Sequence, residues 1–210
     1  MTRYLCAALC AALATVPLAA QAPGGWKLRA DESTSASDPD APGRIRFTKT
    51  AAGFHAVNPQ AAVYWHPANA AAGAYSLKAT FTLMKPSGHT NFYGLVFGGR
   101  DLEGPRQTYL YFLVAQDGTW LVKRRAGDAT TEDVVARTPH AAVRKPAAGG
   151  TSTNVLEVRV LANSIEYLVN GTRVHTMPRS GAVAQTDGLY GVRVNHQLEV
   201  QFEGLALAKL

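Results

Sequence analysis

Cysteine is nearly missing from this chain, and so are helical periodicity, clustered charge and close histidine pairs. The only two cysteines, Cys6 and Cys10, fall within the first twenty residues, "MTRYLCAALCAALATVPLAA". There a single cation, Arg3, precedes an apolar run from Tyr4 to about Ala20, with small residues after it. This is the pattern of a secretory signal peptide. The run is short for a membrane span and no stop-transfer cluster follows it. The expected product is therefore secreted, in a bacterial periplasm or outside the cell, cut after Ala20 and without a membrane anchor. Such a product has no cysteine, which excludes disulfides, thiolate nucleophiles and cysteine-held metals together. Stability must come from a hydrophobic core, and about 190 residues in one domain suffice for that.

Concentrated charge is lacking as well. Without Arg3, 20 basic side chains face 15 acidic ones, a net charge of +5. The adjacent basic pairs Arg124-Arg125 and Arg144-Lys145 are isolated. A nucleic-acid surface needs a basic patch or a known motif, so nucleic acid is excluded as a partner. The spacing also excludes zinc, because His55, His66, His89, His140, His175 and His196 show no H-x-H or H-x-x-x-H pair. No metal site is expected from it. A serine nucleophile fails too, since there is no G-x-S-x-G and Ser87-Gly88-His89 reads as a turn.

Short runs rich in Val, Tyr, Phe and Thr recur between turn signals. They predict an all-β chain with strands at 44–49, 53–57, 62–66, 75–84, 91–97, 108–116, 119–125, 154–161, 164–169, 172–177, 189–194 and 198–207. A further strand near 133–137 would break the long connection 127–150. The segments 31–43 and 100–107 read as loops, as does 68–74. Two hairpins are predicted, turning at Asp117-Gly118 and Asn170-Gly171, because each dipeptide accepts the positive φ angles of a two-residue turn. Pairing across the second puts Val169 opposite Thr172, Leu168 opposite Arg173 and Tyr167 opposite Val174.

Alternation assigns the faces. Leu156, Val158 and Val160 oppose Glu157 and Arg159, and Val200 and Phe202 oppose Glu199, Gln201 and Glu203. By contrast "FYGLVFGG" and "TYLYFLVA" are apolar on both sides. They predict central strands covered twice, or an outer face put to use.

The stretches "YSLKATFTLMKPSGHTNFYGLVFGG", "NVLEVRVLANSIEYLVNGTRVHTMP" and "TDGLYGVRVNHQLEVQFEGLAL" together resemble the concanavalin A-like lectin and glucanase superfamily. They are most similar to the secreted jelly-roll domains of the 3-keto-disaccharide hydrolase group. The resemblance runs from about residue 26 to 210. It implies a jelly-roll β-sandwich of two antiparallel sheets, with ligand on the concave face or its rim. The domain layout expected is a signal peptide at 1–20, an irregular segment at 21–43 and the sandwich at 44–210. The Glu-x-Asp-x-Glu strand of the glucanase branch is missing, and "TNFYG" stands where the hydrolase-like branch often carries Asn-Ser-Gly.

Two sets of side chains stand out as candidate sites. If the chain is an enzyme, a hydrolase or lyase acting on sugars, its catalytic groups are Asp101, Glu103, His66 and His196. The Asp101-x-Glu103 loop alternatively suits structural calcium, or is solvated with local ion pairs. The other set is aromatic. Pairing Gln116 with Thr119 puts Tyr109 and Tyr111 on the face of Trp120 and Arg124, with Asn91, Tyr93, Arg193 and Asn195 as neighbours. Rings with polar handles beside a guanidinium suit a sugar. The expectation is a non-catalytic, lectin-like carbohydrate-binding domain. The enzyme, and a structural or protein-interaction domain, stand as alternatives.

Overall fold

The computed structural model describes residues 22–33, 35, 36, 38–147 and 150–210. The expected signal peptide, with Cys6, Cys10 and the cut after Ala20, lies outside the described residues. Among the described residues fourteen strands run in chain order: β1 (Lys27–Asp31), β2 (Arg46–Lys49), β3 (Gly53–Asn58), β4 (Ala61–Ala71), β5 (Tyr75–Lys85), β6 (Phe92–Arg100), β7 (Thr108–Ala115), β8 (Thr119–Ala126), β9 (Thr130–Pro139), β10 (Ser152–Val160), β11 (Ser164–Val169), β12 (Thr172–Pro178), β13 (Gly188–Val194) and β14 (Leu198–Lys209). They form two antiparallel seven-stranded sheets. The front sheet has the order β1-β4-β13-β6-β7-β8-β9, and the back sheet β12-β11-β10-β5-β14-β3-β2. No helix of the described residues is long and apolar enough to cross a membrane.

The inward faces of the sheets meet in one core. Leu156, Val158 and Val160 of β10 and Val200 and Phe202 of β14 are fully buried there, as alternation predicts. Tyr64, Leu95, Phe112 and Val192 cover them from the front sheet. The outer face of the back sheet is a solvated ladder of charge, with Glu157 accepting from Ser76 and Arg159 and with Arg173 paired to Glu166.

The structure corrects the sequence reading in three places. First, 27–31 is an edge strand of the front sheet, so the sandwich starts inside the segment expected to be irregular. Second, β4 runs on through 68–71; Pro67 sits in the shifted stretch between Trp65 and Ala70, beyond the end of β1, where no ladder N–H is required. Third, both hairpins differ in register. At Asn170 (φ +51) and Gly171 (φ +81) the two-residue turn forms as expected, but Tyr167 pairs with His175 because a bulge absorbs Val174. At the other hairpin only Gly118 (φ +87) is left-handed. The Gly118 N–H donates to the Ala115 carbonyl, and Asp117 instead accepts from the Thr119 N–H and hydroxyl. The loop therefore has three residues, Gln116 to Gly118, and Val114 pairs with Trp120. This one-residue slip moves every β8 side chain to the opposite face.

Candidate functional site

The outer face of the front sheet is apolar at its centre. Tyr109, Tyr111, Leu113 and Ala115 of β7 lie there beside Val96, Leu121, Val63 and Trp65, a second cluster apart from the main core. This explains the two doubly apolar strands. One end of the cluster is roofed by the β6–β7 loop, where Leu102 is buried and Arg29 donates to the Leu102 and Gly104 carbonyls. The other end opens into a cleft.

Arg193 of β13 occupies the cleft floor with 10% of its side chain exposed. It donates to Asp31 Oδ2 of β1, to the Tyr109 hydroxyl at 2.9 Å and, through Nε, to Asn195 Oδ1 at 3.1 Å. Its guanidinium lies 5.4 Å from the centre of the Tyr111 ring. Burial opposes ionisation of Asp31, but Arg193, Arg125 and Arg29 outweigh it and hold the carboxyl below its ordinary range. Burial also pushes the Tyr109 hydroxyl up to about 12, so it remains a neutral donor to Asp31. Among the described residues Arg193 Nη2 has no hydrogen-bond partner.

The cleft measures about 490 Å³ and is lined by Asp31, Asn91, Arg125, Arg193, Asn195 and the 38–40 segment. A smaller depression of about 230 Å³ shares Asp38, Asn91, Arg193 and Asn195 and adds Tyr111, Phe92 and Lys123. The larger volume falls in the range of small-ligand sites. Its charges are of both signs: Asp31 is paired with Arg193 and Arg125, Asp128 with Arg29, and Lys123 of the smaller depression with Asp133. Glu32, Asp38 and Asp40, by contrast, line the cleft without a lysine or arginine partner among the described residues. At the rim His196 Nδ1 lies 2.9 Å from Asp40, while His89 and His196 both face Asp38.

No family model and no curated protein matches the sequence. Solved structures match its fold. The carbohydrate binding module CBM66 from Bacillus subtilis is similar with a TM-score of 0.61 at 10% identity, over 88% of this chain and 96% of that one. A GH16 protein of the Bacteroides ovatus mixed linkage glucan PUL, in complex with a product, gives 0.56 at 10%, over 87% and 94%. Alginate lyase A1-II' gives 0.51 at 12%, over 89% and 95%. The fold is that of the concanavalin A-like lectins and glucanases.

On this concanavalin A-like sandwich, five of the eight expected ligand-binding residues share the outer front face: Asn91, Tyr109, Tyr111, Arg193 and Asn195. Three do not. Trp120 is 2% exposed and packs in the main core against Phe112, because the three-residue turn reverses its direction. Arg124 moves with it and pairs with Glu132 of β9 at 2.9 Å. Tyr93 alternates inward beside Leu95, and its hydroxyl accepts from Asn154. Leu121, Lys123 and Arg125 take the places read for Trp120 and Arg124.

The four expected catalytic residues are not brought together. Asp101 caps its own loop by accepting from the Arg106 N–H at 3.2 Å. Glu103 is paired with Lys27 at 2.6 Å and largely exposed. These two carboxylates thus point to different partners, which is also no convergent calcium set. His66 stands beside Trp26 in a separate hollow, and only His196 reaches the cleft. The sequence reading missed Asp31, Asp38 and Asp40. The alternation of Lys27, Arg29 and Asp31 against Leu28 and Ala30 was a usable signal for β1.

Proposed function

We propose that the protein is a secreted, lectin-like domain that binds a neutral carbohydrate in the front-sheet cleft without turning it over. The observation that carries this reading is Arg193. A desolvated ion pair on a sheet's outer face is poor support for stability, since apolar residues of the same size serve as well. Its cost is understandable where a fixed guanidinium must meet a ligand beside the amides of Asn91 and Asn195. The carboxylates of Glu32, Asp38 and Asp40 around it disfavour an anionic ligand and can accept from hydroxyl groups. The likeness in fold to a carbohydrate binding module and to a GH16 protein with a bound product supports a sugar.

A glycan array followed by calorimetry tests the proposal. Asn195→Ala should weaken the best ligand at least tenfold, a loss of about 1.4 kcal/mol, with unchanged circular dichroism. Binding to no glycan removes the proposal. The second reading, a sugar-active hydrolase or lyase, is favoured by the Asp40–His196 pair lining the same cleft, a carboxylate that orients an imidazole. Product release abolished by His196→Ala would establish it in place of the first.

A further inference from the structure

Three segments far apart in the chain meet at the cleft's rim: the stretch after β1, the β5–β6 turn and the β13–β14 turn. They bring Asp38, His89 and His196 together, with one ligand-type atom of each within 4.8 Å of the others. Asp38 Oδ1 lies 2.7 Å from His89 Nε2 and 3.1 Å from His196 Nε2, and the two nitrogens are 3.3 Å apart. Hydrogen bonds satisfy this arrangement poorly. An imidazole nitrogen either donates or accepts. If both nitrogens donate to the carboxylate, two N–H groups point at one another; if only one does, the lone pair of the other faces the carboxylate oxygen at 2.7 or 3.1 Å; if neither does, lone pairs and a carboxylate converge with nothing between them. One cation at the centre serves all three atoms.

We propose that Asp38 Oδ1, His89 Nε2 and His196 Nε2 bind a divalent transition-metal ion of the zinc type. Bonds of about 2.0–2.1 Å in a tetrahedral site put neighbouring ligand atoms about 3.3 Å apart, so side-chain shifts of a few tenths of an ångström complete the geometry. Asp40 supplies what such a site requires behind its ligands. Its Oδ1 lies 2.9 Å from His196 Nδ1, holding the proton there and turning the Nε2 lone pair toward the ion. The Asn91 amide, 2.9 Å from His89 Nε2, offers a further donor when rotated by half a turn, since its two ends are alike in shape. Two imidazoles select against calcium and magnesium, which take oxygen. The Asn91 amide oxygen or a water fills the fourth position of the tetrahedral site. Histidine spacing could not reveal the site, because its ligands are at 38, 89 and 196.

Zinc binding to the untagged, chelator-stripped protein, measured without sugar by competition with a chromophoric chelator, tests this separately from carbohydrate binding. The expected result is one ion per chain with Kd below about 10 μM. His89→Ala and His196→Ala should each weaken it at least a hundredfold, Asp40→Asn should weaken it about 10–100-fold through the second shell, and His140→Ala should change nothing. Circular dichroism confirms that the variants fold, and Asp40→Asn, which keeps all three ligands, covers the case in which a histidine variant does not. Zinc binding weaker than 100 μM, zinc binding unchanged in the histidine variants, or calcium bound as tightly as zinc would each overturn the proposal.

Discussion

Replacing Asp31 by leucine should expose what the Arg193 ion pair does. Both side chains are about nine-tenths buried, so the substitution leaves Arg193 with the Tyr109 hydroxyl and the Asn195 carbonyl but no counter-charge. Breaking a buried pair from one side costs about 3–5 kcal/mol. Because the cleft admits water, the low end applies, about 3 kcal/mol, which for a domain of this size lowers Tm by about 6–12 °C. Removing both charges in Asp31→Leu/Arg193→Met should return stability to within about 1 kcal/mol of the parent while sugar binding stays lost. Urea denaturation of the four proteins closes the cycle. A pH series supplies a second readout. The folded pKa of Asp31 is depressed, so its contribution is complete above the unfolded value of about 3.9 and is lost as pH falls through the folded value. The gap between parent and Asp31→Leu should therefore narrow below about pH 4. A single-variant cost under about 1 kcal/mol, or single effects that add to the double within about 0.5 kcal/mol, would refute the reasoning.

Two further substitutions probe the hairpins. Asn170→Gly keeps the left-handed turn but deletes hydrogen bonds to the Val155 N–H, the Ala142 carbonyl and Asn154, so it should cost about 2 kcal/mol in urea unfolding; Asn170→Ala should cost about 1 kcal/mol more for the φ of +51. Parity of Asn170→Gly with the parent would show that those bonds are idle. Trp120→Ala should lose about 3–5 kcal/mol by opening a core cavity, and its folded fraction should bind sugar with unchanged Kd; a selective loss of affinity would return Trp120 to the site.

Much of the sandwich is legible in the sequence because a one-sided strand writes its face into alternate residues, as 156–160 and 198–203 do. Parity also put Tyr109, Tyr111, Arg193 and Asn195 on the outer face where they lie, but it failed for Tyr93, which shares the parity of Asn91 and turns into the core. Trp120 and Arg124 failed because their face depends on register across a turn. The letters Asp117-Gly118 fit both a two-residue and a three-residue loop, and the hydrogen bonds of Asp117 to Thr119 decide between them. The acids of the cleft were illegible for a different reason. Asp38 and Asp40 lie in an irregular segment whose place is set by the strand before it and by His196, 156 residues away from Asp40.

That separation bears on when the site can exist during synthesis. Its first acidic half leaves the ribosome with β1, but Arg193 and His196 come 162 and 156 residues after their partners. Until β13 is made, β4 and β6 have no neighbour between them, and the front sheet is split into two pieces with open edges. Closure waits on contacts of long sequence separation, which form late and slowly. A ligand or metal bound in the cleft would therefore count only chains that have finished both translation and folding, and its occupancy would directly measure native yield.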